Sequence, residues 1–130
     1  MPRENDLLPT EITRVAFRAT NGEFAWRRAD LPTAIQAICR AGLAILGGEV
    51  WLVRGTAWTG LIPDRNSNVP GVWSWDTSVR QSGESWQAYC DRCASESAGV
   101  TGKMGVELEA SPEVVADLWF NLTYVAASEA

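Results

Sequence analysis

Apolar positions along the chain recur with two different periods. In ADLPTAIQAICRAG, residues 29–42, Leu31, Ile35 and Ile38 fall at helical spacing. Asp30 is a candidate N-cap, Pro32 suits a first turn, and Gly42 suits the position just past a helix end. A helix is expected between them. A second helix is expected in SGESWQAYCDRCASESAG, residues 82–99, with Ser82 as N-cap, Glu84 in the first turn and Gly99 closing it. Trp86, Tyr89, Cys90 and Cys93 are spaced for one apolar stripe on it. Residues 11–19 read as a short helix capped by Thr10 and ended by Asn21-Gly22, and a strand over 11–18 fits the same residues.

Elsewhere the period is that of a strand. Leu43–Leu46 and Val50–Arg54 form one apolar run interrupted by Gly47-Gly48, which either bends a single strand or turns between two. Trp58–Ile62 and GVWSWD, residues 71–76, read as further short strands, separated by the turn-rich loop PDRNSNVPG, residues 63–71. In residues 103–109, Val106 and Leu108 alternate with Glu107 and Glu109, which predicts a half-buried strand. Val114–Val125 predicts the last strand, with Leu118, Phe120, Leu122 and Tyr124 on one face and Trp119, Asn121 and Thr123 on the other. The sum is an α+β fold: a single domain over 10–130, mostly antiparallel sheet, with two or three helices packed on one face. Residues 1–9 are expected to form a flexible arm.

Composition narrows the function. The 130 residues make one domain. No apolar run approaches a membrane span, and MPRENDLLPT has no secretory h-region. Three cysteines, an odd number, argue against a disulfide framework and for a reduced, cytoplasmic setting. The net charge of −5 disfavours nucleic acid and anionic membranes as partners. It suits a basic protein partner, and it equally suits a plain solvated surface.

Candidate chemistry is sparse. The chain has no histidine, which removes the commonest general base and metal ligand. No phosphate-binding glycine loop is present. Cys90-Asp91-Arg92-Cys93 is formally a C-x-x-C, yet it falls mid-helix with both sulfurs expected inward. No metal or cofactor is expected. Glu49 sits at the glycine break, where it can bond its surroundings, reach a partner, or act as a base with Asp76 or Glu84. Of Trp73 and Trp75, one ring is expected to face solvent.

Three stretches taken together carry a resemblance: AWRRADLPTAIQAICRAGLAILGGEVWLV (25–53), WSWD (73–76) and SGESWQAYCDRCASESA (82–98). Their order resembles a family of small immunity proteins from bacterial polymorphic-toxin systems. In that family a helix leads into an ILGGD-V-aromatic strand, followed by a Trp-rich strand and an E-S-W-x-x-Y-x-x-R helix. Here the motifs read Ile45-Leu46-Gly47-Gly48-Glu49-Val50-Trp51, then Glu84-Ser85-Trp86 with Tyr89 and Arg92. The family's Asp is Glu49 in this chain, and residues after 100 have no match to it. The resemblance implies a non-enzymatic protein that binds and neutralises a cognate toxin domain. The candidate partner-binding residues are Glu49, Trp73, Trp75, Asp76, Glu84 and Arg92. Arg92 is expected to pair with a carboxylate, Glu49 or Asp76 among the choices. Two other readings stay open: a small carboxylate-based hydrolase, and a structural homodimeric subunit.

Overall fold

In chain order the elements are α1 (Thr10–Arg14), β1 (Phe17–Arg18), β2 (Phe24–Trp26), α2 (Leu31–Arg40), β3 (Ala44–Arg54), β4 (Ala57–Thr59), β5 (Leu61–Ile62), β6 (Gly71–Val72), β7 (Ser74–Asp76), α3 (Trp86–Leu108) and β8 (Leu118–Val125), with a 3-10 turn at Ala127–Glu129. The computed structural model describes residues 7–62, 71–108 and 117–129. Residues 1–6, most of the expected loop at 63–71, Glu109 and the expected strand residues 114–116 lie outside that description.

The interrupted apolar run is one strand. β3 pairs antiparallel with β8 along nearly its whole length, and its other edge is shared by β7 at Gly47–Glu49 and β4 at Leu52–Arg54. The sheet order is β1-β2-β8-β3-β4, with β7 beside β4. A register shift between Ile45 and Gly47 leaves Leu46 as the extra, exposed residue of a β-bulge. Thr77 ties the bulge down: its N–H donates to Leu46 O at 2.9 Å and its hydroxyl to Ile45 O at 2.7 Å. Two carbonyls that the bulge removes from the ladder are satisfied in this way.

Asn21-Gly22 turns β1 into β2 rather than ending a helix. Gly22 holds a φ of 89°, and Asn21 Oδ1 accepts from Glu23 N–H at 3.0 Å. The two readings of residues 11–19 each hold in part, since α1 stops at Arg14 and β1 begins at Phe17. The helix at 31–40 is where the sequence places it. Gly42, with φ 78°, lets its N–H reach Cys39 O at 3.0 Å and Leu43 N–H reach Ile38 O at 3.2 Å, the paired bonds of a Schellman ending. Of the stretch expected as an arm, residues 7–9 are described, and Leu8 among them is buried in the core.

α3 departs from expectation at both ends. Its first-turn cap is Ser85, whose hydroxyl accepts from Ala88 N–H at 3.1 Å, and not Ser82. It does not stop at Gly99 but runs on to Leu108, so residues 103–108 are helical rather than a strand. Glycine inside a helix costs only about 1 kcal/mol. Buried Ser97 and Thr101, with Thr101 Oγ1 donating to Ser97 O at 2.7 Å, belong to the packed side of the continuing helix. Gly105 is buried on the same helix, with the Arg28 side chain lying against it. A two-residue alternation is too short to outweigh such contacts.

α2 and α3 pack on one face of the sheet, over Phe24, Trp26, Val50, Leu52, Phe120 and Leu122. The opposite face carries a smaller cluster of Ala19, Ala25, Trp51 and Val53, flanked by Phe17, Trp58 and Trp119. No described helix contributes to that second cluster. Among the described residues no helix is long and apolar enough to cross a membrane.

The glycines at the break are enforced by close approach. A Cβ on Gly48 would lie 2.0 Å from Asn121 O and 2.6 Å from the Trp75 ring, and one on Gly47, at φ 154°, would lie 2.2 Å from Trp75 O. Gly48→Ala should therefore lose roughly 3 kcal/mol through overpacking against backbone. Gly99→Ala, in open space on α3, should gain about 0.5–1 kcal/mol. Urea denaturation of both variants checks the pair. Equal midpoints would refute the packing account of β3.

Candidate functional site

Strand register decides what meets on the outer face. Glu49, Trp51 and Val53 alternate onto it from β3, and Asn121 and Thr123 from β8. Across the sheet, Glu49 lies between Asn121 and Ser74, while Gly47 lies between Thr123 and Asp76. Extending the β2–β8 pairing, in which Ala25 opposes Asn121, puts Glu23 across from Thr123. One row of the face thus reads Glu23, Thr123, Gly47, Asp76, and its third position has no side chain.

That gap is a hollow of about 330 Å³. Glu23, Glu49, Asp76, Asn121 and Thr123 line it, with Gly47 and Gly48 as its floor and Trp51 and Leu46 at its margins. Its lining holds three carboxylates and no basic residue. None of the three is in an ion pair among the described residues. Glu23 and Asp76 stand about 14 Å apart at the backbone, three inter-strand steps. Accordingly no described group of His, Cys, Asp or Glu is arranged to hold a metal ion.

Glu49 is partly engaged. Its Oε1 accepts from the Trp51 indole N–H at 2.6 Å. Its carboxylate rests against Gly60 at the β4–β5 bend, where a Cβ would come within 3.2 Å of Oε1. Glu49 therefore orients Trp51, whose ring stacks on Trp58 with centroids 4.1 Å apart. Further along the face, Arg27 lies over the Trp119 ring at 4.7 Å.

The other proposed partner-binding residues sit elsewhere. Trp73 and Trp75 do not divide between core and solvent. Residues two apart on a strand share a face, and both rings pack against the main core. Trp75 is buried beneath Gly48 and donates its indole N–H to Ser97 Oγ at 3.3 Å. Trp73 is half-buried.

Glu84 and Arg92 pair with each other, at the far end of α3's first turns, and not with Glu49 or Asp76. Arg92 Nε and Nη2 each donate to Glu84 at 2.9 Å, and Nη1 donates to Glu96 at 2.7 Å. Nη1 also reaches Ser78 O at 3.2 Å, and Nη2 reaches Val79 O at 3.0 Å. All five guanidinium N–H donors are thereby used. The guanidinium straps the 77–85 segment to α3, and it has no donor left to offer a partner. The exposed Arg54–Asp117 pair, at 3.4 Å, is a surface contact of the kind worth little.

The cysteines are inert packing groups. Cys90 and Cys93 are buried on α3, and all three thiols are free. Burial pushes the Cys90 thiol up. Burial, helped by the hydrogen bond to Asp91, pushes Cys39 up to about 11. A raised thiol is a poor nucleophile at neutral pH.

The sequence reading did not include Glu23, Asn121 and Thr123 in the site. Asn121 left a trace, being an amide in the middle of the apolar strand LWFNLTYV. It is buried, and its amide donates to Phe24 O at 2.9 Å. No family model matches the chain, and neither a curated protein nor a solved structure matches it.

The strap makes acid stability testable. Hydrogen bonds from Arg92 hold the Glu84 carboxyl down at about 2 against an ordinary 4.5, and bonds from Ser78 and Arg92 lower Glu96. A depressed carboxyl contributes stability that is present above its unfolded value and lost as pH falls through the folded one. Wild-type Tm should therefore fall between about pH 4.5 and pH 2. Glu84→Gln should have a lower Tm at neutral pH and a flatter fall over that window, with the Glu96 part remaining. An unchanged slope in a thermal series would show the strap to be unimportant.

Proposed function

We propose that the protein is an immunity protein, a non-enzymatic inhibitor that binds a cognate bacterial toxin domain and neutralises it by protein–protein contact. The observation that carries this reading is the cation-free hollow on the outer sheet face, lined by Glu23, Glu49 and Asp76. An aromatic surface of Trp58 and Trp119 flanks it. A basic partner complements such a face, and opposite charge speeds encounter. The ILGGE-V-W strand and the E-S-W-x-x-Y-x-x-R helix support the same reading through their resemblance to immunity proteins. The inferred setting is the cytoplasm, with no nucleic acid, membrane or cofactor involved. Within the binding set, Glu49 and Asp76 are the direct contacts. Trp73, Trp75, Glu84 and Arg92 hold the face in shape.

One observation favours a second reading, a carboxylate-based hydrolase. Asp76 opposes Gly47, so it is the diagonal neighbour of Glu49 on the same face, about 7–8 Å away at the backbone. Two acids on one face are what such a hydrolase uses. The engagement of Glu49 by the Trp51 indole weighs against a free base there.

Co-expression with the product of the gene directly upstream in the native genome tests both. The expected result is growth rescue with a stable 1:1 complex. The double variant Glu49→Gln, Asp76→Asn should weaken that complex at least about tenfold, since each charged hydrogen bond contributes roughly 1.5–3 kcal/mol. Turnover of a polar substrate that vanishes in the same variant would replace the inhibitor reading with the hydrolase. A harmless neighbour and no complex would refute it for that pair.

A further inference from the structure

We draw no further inference here: the strongest candidate, the aromatic cluster of Phe17, Trp58 and Trp119 packed around Trp51 on the outer face of the sheet, has no described helix against it, and nothing in the structure shows what covers it.

Discussion

The near-contact of β7 and β8 with the two glycines at the centre of β3 is the constraint on which the rest of the structure depends. Gly48 has the Trp75 ring on one side and the Asn121 carbonyl on the other, both inside the space a methyl group would need. With that space empty, Trp75 lies flat enough against the sheet to reach Ser97 on α3. The seating of the long helix on the core thus passes through a residue that has no side chain. Gly47 does the opposite on the outer face. There the missing side chain leaves a hole in a row of polar groups, and the hole becomes the hollow. One dipeptide makes the inner face dense and the outer face concave. The bulge at Leu46, a shift in the β3–β8 ladder, adjoins the same dipeptide, and Thr77 bonds the carbonyls beside it.

The tryptophans look like interface residues in the sequence and behave mainly as core residues with a polar tip. Four of the seven indoles donate to protein acceptors: Trp26 to Ile12 O, Trp51 to Glu49, Trp75 to Ser97 and Trp86 to Gly42 O. Magnitudes separate what each part does. Burying such a ring removes roughly 150–250 Å² from water, on the order of 4–6 kcal/mol, while its hydrogen bond contributes about 1 kcal/mol net. Burial holds the ring in place and the bond selects its orientation. The Trp51–Glu49 bond matters most for the site, because it fixes a carboxylate on the outer face by means of a ring that the second cluster already holds.

Much of the fold was legible where one short-range rule decides it. The α2 boundaries follow from Pro32 in the first turn and Gly42 past the end, although Asp30 makes no side-chain capping bond, and the alternation of Leu118 to Tyr124 gave the correct faces for β8. Legibility failed where tertiary contact overrides the local signal. Gly99 reads as a stop, yet α3 passes through it because its other face is packed. Ser82 and Ser85 are equally good caps by composition, and the Arg92 strap on the 77–85 segment selects the later one. The partner of Arg92 was unreadable for the same reason, since Glu84 and Glu96 meet it only once that segment folds back. The site was half legible. Glu49 and Asp76 stand out by motif, whereas Glu23 and Asn121 join them only through the pairing of β2 with β8 and β8 with β3, which no local pattern encodes.

The two acidic groupings of the molecule differ in a way that bears on function. Around Arg92, two glutamates have every charge answered, and the cation is fully bonded by the protein itself. Around Gly47, three carboxylates share a concavity with no cation in its lining, although the chain carries 11 arginines and lysines and Arg27 lies only two residues from β2's Ala25. Glu23 and Asp76 are exposed there, and Glu23 and Glu49 accept hydrogen bonds from Asn21 Nδ2 and Trp51 Nε1. On the proposed inhibitor reading, carboxylates without an ion pair among the described residues, beside the glycine break, are what a basic partner would face. The positive charge that faces them in the proposed complex would come from outside the chain.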